Sequence, residues 1–161
     1  VACSVRANPY AAFAAGLHVV SGPLHGAAST HVVELLTDAE QGGARQAVAR
    51  CRTGGGRVPG FGHSVYRNGD PRTQPLLDAV RQLPDPHDRV DVVDAVLWEV
   101  SRTVGKHPNV DLALGALMFV GELPRDCPLF AVARIAGWAA HYDEELRERP
   151  VRYRGLSTRR T

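Results

Sequence analysis

No stretch of this sequence alternates apolar and polar residues between turn signals, so nothing in it reads as a β-sheet. Nor does any apolar run approach the roughly 20 residues that a membrane-crossing helix needs. The opening Val1-Ala2-Cys3-Ser4-Val5-Arg6 lacks the apolar stretch and cleavage pattern of a signal peptide. Neither sign of charge dominates. The 19 Lys and Arg stand against 17 Asp and Glu, a formal net charge of +2, which gives no steer toward nucleic acid or membrane partners. Cys3, Cys51 and Cys127 form no Cys-x-x-Cys pair; three scattered cysteines read as free thiols in a reducing compartment, the cytoplasm. There is no His-Glu-x-x-His, and the seven histidines show no zinc-ligand spacing, so no metal site is expected. The absence of Gly-x-Ser-x-Gly, of Gly-x-Gly-x-x-Gly and of a Gly-Lys-Ser/Thr phosphate loop removes serine hydrolases, dinucleotide binders and P-loop enzymes.

What is present is helical spacing. The 161 residues, 44% of them hydrophobic, suffice for one compact domain or two small lobes. Pro9 opens a small-residue helix, Tyr10 to Val20. A second runs from a Thr30 cap to about Gln41, ended by Gly42-Gly43, and a short third spans Ala44 to Cys51. A Gly- and Pro-rich loop covers Thr53 to Asp70. Leu76, Leu77, Val80 and Leu83 line a fourth helix; Val90, Val93, Leu97, Val100 and Val104 make the cleanest amphipathic one. Pro108 leads into a further segment continued by Leu114 to Val120. The last helix spans about Leu129 to Arg147 with Val132, Ile135, Ala136 and Ala139 inward, and a basic tail follows. The expected fold is all-α.

Three short stretches carry chemical interest. In Gly22-Pro23-Leu24-His25-Gly26 a histidine between glycines sits ahead of a helix start, where positive charge is disfavoured and a neutral imidazole can donate a hydrogen bond. A histidine beside a turn is, on its own, more often structural. In Pro59-Gly60-Phe61-Gly62-His63, running on to Asp70-Pro71-Arg72, alternating glycines would expose backbone N–H groups to a flat or phosphorylated ligand. Arg67 suits phosphate and Arg72 a carboxylate, although Asp70-Pro71 reads equally as a plain helix start. The third, His107-Pro108-Asn109-Val110-Asp111, opens an apolar helix; Asp111 is there either a cap or, near a cleft, a general base.

In this order the stretches resemble citrate synthase. The resemblance rests on Gly-Pro-Leu-His-Gly, Gly-Phe-Gly-His with Asp-Pro-Arg after it, Pro-Asn-Val-Asp, Arg134 in Ala-Arg-Ile-Ala-Gly-Trp, and Glu148-Arg149-Pro150, and it covers the chain from about Ala2 to Gly155. It implies the C-terminal portion of a citrate or 2-methylcitrate synthase. Residues 29–114 would correspond to the family's small domain, with 1–28 and 115–161 as parts of its large domain. The implied reaction joins acetyl-CoA, as co-substrate and with no permanently bound cofactor, to oxaloacetate in the tricarboxylic acid cycle. Asp111 would remove the methyl proton, neutral His25 would hydrogen-bond the enol oxygen, and His63 would polarise the ketone. Arg72, Arg134 and Arg149 would hold carboxylates, the last reaching across a homodimer. Val58, Gly60, Phe61, Gly62 and Arg67 would take CoA.

The family's chain begins well before Val1, and its missing part includes a substrate-binding histidine in a His-Glu segment. Val1 in place of Met indicates either a non-standard start or a piece of something longer. Ser29 stands where Asn is common in the family. Helices such as Tyr10 to Val20 are therefore expected to lose neighbours and expose apolar faces. Two rival readings follow: a non-catalytic remnant or split subunit that needs a separate N-terminal chain, and a 2-methylcitrate synthase taking propionyl-CoA. Nucleic-acid binding through the arginines of the tail is the weakest reading, since Glu144, Glu145 and Glu148 dilute that cluster and no helix-turn-helix accompanies it.

Overall fold

The computed structural model describes residues 1–21, 28–53, 55–125 and 127–150. Its seven helices, with no strand among the described residues, are α1 (Pro9–Val20), α2 (Ala28–Gly42), α3 (Ala44–Thr53), α4 (Thr73–Val80), α5 (Arg89–Thr103), α6 (Val110–Val120) and α7 (Leu129–Arg147). The chain is all-α, as the spacing predicts. It divides into two compact units, one of Val1–Gly26 with Pro128–Thr161 and one of Ala27–Cys127.

The second unit is built around α6, which is so apolar that Leu112 to Ala116 and Met118 to Val120 are all buried. A helix buried on nearly every side needs partners on several faces, and α2, α4 and α5 supply them. Val32 and Leu36 of α2, Leu77 and Val80 of α4, and Val93, Val96 and Val100 of α5 close the core. Val96 lies at the centre of the α5 stripe, while the predicted Val90 and Val104 sit at its margins. α6 runs unbroken through Leu114, and Ala116 and Phe119 bury into the same core. Gly115 lets α2 and α6 cross closely: a Cβ there would lie 2.4 Å from Val32 Cγ1 and 3.0 Å from the Ser29 carbonyl oxygen. Arg89, at the start of α5, donates to Glu40 (2.9 Å), Glu122 (2.9 Å) and the Phe119 carbonyl (3.1 Å), tying together the ends of three helices.

In the first unit α1 packs on α7. Asn8 caps α1 by accepting from Ala11 N at 2.9 Å, and Pro9 takes the position where a missing N–H costs nothing. Trp138 lies against Gly16, Phe13 meets Tyr142 edge-on at 6.1 Å, and the Tyr142 hydroxyl donates to the Ala7 carbonyl. Arg6 donates to the carbonyls of Glu145 and Glu148, satisfying acceptors at the end of α7. The inward face expected for α7 needs correction. Ala131 is its buried residue, Ile135, Trp138 and Tyr142 are half-buried, and Val132, Ala136 and Ala139 are exposed. The covered stripe is the one that meets α1. Tyr10 and Val19 of α1 are exposed as well.

Gly115→Ala is expected to destabilise the chain by about 1–3 kcal/mol, the usual cost of overpacking, as measured by urea unfolding. A midpoint unchanged from wild type would contradict the close α2–α6 crossing.

Candidate active site

The loop after α3 and the segment before α6 are sewn together by their own backbones. Gly62 N–H donates to the His107 carbonyl (2.8 Å), Asn109 N–H donates to the Gly60 carbonyl (2.9 Å), and Phe61 and Pro108 pair as an isolated antiparallel bridge. The Asn109 side-chain amide donates to the Gly62 carbonyl at 2.8 Å. Gly60 and Gly62 both have left-handed backbones, with φ of +80° and +83°, which glycine adopts without a Cβ penalty. Gly60 also rests against Leu112 and Val32, where a Cβ would come within 2.9 Å of each. Of the N–H groups that the alternating glycines were expected to offer a ligand, that of Gly62 is taken up within the chain. The Gly62 N–H is spent on His107, and Phe61 N–H on Val58 at 3.3 Å; the glycines serve chain-to-chain approach.

Asn109 settles the double reading of Asp111. Its side-chain oxygen accepts from Asp111 N (3.0 Å) and Leu112 N (3.4 Å), so the cap of α6 is Asn109 and the Asp111 carboxylate is released from that duty. Asp111 is half-buried. Burial pushes its carboxyl above the ordinary value and Asp70 adds to the rise, while Arg72 and His63 pull it down.

Asp70 anchors the other side. Its side chain is fully buried and accepts Arg72 N (3.1 Å), Arg72 Nε (2.9 Å), Arg72 Nη2 (2.7 Å) and Val110 N (3.1 Å). The paired guanidinium, opposing its burial, holds the carboxyl down at about 2. Nη1 of Arg72 has no partner among the described residues. His63 is fixed at one nitrogen: Nδ1 accepts from Val65 N (3.0 Å) and Tyr66 N (3.1 Å). A neutral imidazole held this way carries its proton on Nε2.

His63 and Asp111 line one open cavity of about 850 Å³, together with Phe61, Gly62, Arg67 and Asn109 and with Arg57, Lys106 and Tyr66. Val58, Arg52 and Gly56 line a smaller adjoining cavity of about 320 Å³, whose walls include Phe61, Arg57 and Lys106. Three basic side chains thus border the larger space. Gly60 sits behind it, in the core. Arg72 is joined to the site through Asp70 and Val110. His25 lies outside the described residues. Arg134, on α7, and Arg149, just past its end, are exposed residues of the first unit. No group of three or more His, Cys, Asp or Glu side chains among the described residues is arranged to hold a metal ion.

Sequence reasoning missed Asp70 as the anchor, Asn109 as the cap, and Tyr66, Arg57 and Lys106 as cavity residues. A signal for the first existed in an aspartate two residues before an arginine that needs holding; for the second, in an asparagine immediately ahead of an apolar helix.

The profile of the citrate synthase C-terminal domain matches residues 1–154. Citrate synthase from Synechocystis is 36% identical over 155 residues, covering 91% of this chain and 39% of its own. The 2-methylcitrate synthase 1 of Corynebacterium glutamicum is 30% identical over 151 residues, 90% of this chain and 40% of its own. The solved ternary complex of carboxymethyl coenzyme A and oxaloacetate with citrate synthase from Thermoplasma acidophilum superposes with a TM-score of 0.73 at 25% identity, over 96% of this chain and 45% of that one. The chain spans less than half the length of each of these three.

A carboxyl held at about 2, below its ordinary value of about 3.9, contributes stability that is complete above about pH 4 and is lost as pH falls toward 2. Asp70→Asn is therefore expected to lower the unfolding free energy at pH 7. It should also flatten the decline between about pH 4 and pH 2, by on the order of 2 kcal/mol. Parallel acid profiles for variant and wild type would refute the anchor.

Proposed function

The chain belongs to the citrate synthase family, and on that premise we propose that it carries the carbonyl-activating and proton-abstracting part of a site that condenses acetyl-CoA with oxaloacetate. The observation that carries this reading is that His63 and Asp111, from separate segments, line one cavity bordered by cationic side chains.

The chemistry follows from the groups. A methyl beside a thioester is a poor acid, so its proton leaves only to a positioned base while a donor stabilises the oxygen. Asp111 is that base; its raised pKa strengthens it, and Asn109 has relieved it of capping. His25 is the donor to the enol oxygen. The enol carbon attacks the ketone of oxaloacetate, a carbon–carbon bond forms, and the ketone oxygen takes its proton from Nε2 of His63. Water then cleaves the thioester, releasing citrate and the CoA thiol. Arg72, already held by Asp70 through Nε and Nη2, offers Nη1 to a substrate carboxylate. Arg134 supplies a second clamp, and Arg149 a third that serves the partner subunit of a dimer. CoA lies along Val58 to Gly62, with Phe61 between the two cavities and Arg67 toward its phosphates.

The chain covers 39% of the Synechocystis citrate synthase, and the rest of the site is assigned on this reading to the N-terminal portion of such a full-length chain. A second substrate is supported by the 2-methylcitrate synthase relative: propionyl-CoA differs by one methylene, worth only about 1–3 kcal/mol in a pocket.

Release of CoA thiol from acetyl-CoA and oxaloacetate, followed with a disulfide reagent, tests the proposal in the chain alone and mixed with a separately produced N-terminal portion. Turnover is expected in the mixture, with little or none from the chain alone. Asp111→Asn should lower it by about 10²–10⁴-fold. The rate should rise with pH through the Asp111 pKa, because only the carboxylate accepts the proton. That acid limb should be shifted upward from the ordinary Asp value, burial being the main cause of the shift. A mixture that binds both substrates yet releases no thiol would sink the proposal; a higher kcat/KM with propionyl-CoA would transfer it to 2-methylcitrate synthesis.

A further inference from the structure

His63 and Arg72, which on the reading above hold the ketone and a carboxylate of one oxo acid, share a neighbour with no role so far. Tyr66 donates its backbone N–H to Nδ1 of His63 at 3.1 Å, and its ring centroid lies 4.8 Å from the imidazole's, inclined by 42°. The same ring carries the Arg72 guanidinium, with Cζ 5.4 Å from the centroid. Its hydroxyl makes no hydrogen bond among the described residues, although the side chain is 38% exposed and lines the larger cavity.

Each of the two working groups is fixed in part by other contacts. The backbone N–H groups of Val65 and Tyr66 fix the Nδ1 side of His63, but they do not stop the ring from tilting about that contact. Asp70 holds two nitrogens of Arg72, while 48% of the arginine side chain stays exposed on the other side. An aromatic ring is suited to the remaining freedom of both: it prefers an inclined or offset neighbour on the imidazole side and attracts a cation to its face.

We propose that Tyr66 is a positioning residue for the condensation, its ring holding the imidazole of His63 and the guanidinium of Arg72 at a fixed separation matched to the ketone and carboxylate of a 2-oxo acid. The proposal rests on the function inferred above. The ring carries the effect and the hydroxyl is dispensable, so phenylalanine replaces tyrosine without loss while leucine, an apolar residue with no π face, does not.

The test compares wild type, Tyr66→Phe and Tyr66→Leu in the 161-residue chain by two independent measurements. Nitrogen-15 NMR reads the tautomer of His63 and the exchange of Arg72 Nε–H; titration with oxaloacetate reads affinity. Wild type and Tyr66→Phe are expected to keep His63 protonated at Nε2 and Arg72 Nε–H in slow exchange. Tyr66→Leu, which keeps both backbone donors to Nδ1 and with them the tautomer, is expected to speed that exchange and to weaken oxaloacetate about fivefold, the scale of a partly exposed cation–π contact. A leucine variant with unaltered Arg72 Nε–H exchange overturns the proposal even if it binds oxaloacetate less well. A phenylalanine variant that fails like leucine overturns it too, by assigning the effect to the hydroxyl. Failure of wild type to bind oxaloacetate even with the N-terminal portion added refutes instead the functional reading beneath it, and the NMR comparison still decides whether Tyr66 positions the two groups.

Discussion

A carboxylate taken out of water is costly unless its oxygens are fully occupied by donors. Asp70 meets that condition with four hydrogen bonds, three from Arg72 and one from the N–H of Val110. The last of these joins the loop to the first turn of α6, and so fixes where Arg72 stands relative to Asp111. The charges then sort themselves. Asp70, paired with the guanidinium, is held at about 2, whereas Asp111, half-buried and without an ion-pair partner among the described residues, is pushed up. Two carboxylates in one neighbourhood with pKa values driven apart is the arrangement expected where one is structural and the other exchanges protons.

The same junction depends on close backbone approach. Gly60 lies on Leu112 and Val32, and Gly115 lies on Val32 from the neighbouring helix, so two glycines and one valine set the depth at which α6 sits beneath the loop. The N-terminus of α6 is thereby carried to the cavity wall, where Asn109 both caps the helix and donates to Gly62. Core packing and site geometry are consequently one constraint: a side chain added at Gly115 strains the core and, through α6, the placement of Asp111.

Much of this was legible in the residues themselves. Helix limits followed from Pro9, Gly42-Gly43 and the 3-and-4 spacing of α5, because capping and amphipathic burial are local effects. His63, Arg72 and Asp111 stood out as residue types suited to the proposed chemistry. What the sequence did not disclose was which neighbour takes which hydrogen bond. Asn109 and Asp111 compete for the cap of α6, and only the backbone path shows that Asn109 wins. Asp70 reads as a turn residue until the burial of its side chain is known. The face of α7 was misjudged for a related reason: periodicity gives an apolar stripe, but the partner decides which part is covered, and α1 covers the side of Ala131 and Trp138 rather than that of Val132.

The central claim is that His63 and Asp111 act on two different substrates in one cavity. A crystal structure of the chain, joined by its N-terminal portion, with oxaloacetate and a thioether analogue of acetyl-CoA bound tests this most directly. The ketone oxygen is expected within hydrogen-bond distance of His63 Nε2, and the analogue's acyl carbon next to the Asp111 carboxylate. Oxaloacetate bound away from His63, or an acyl group that reaches a carboxylate other than Asp111, would contradict it.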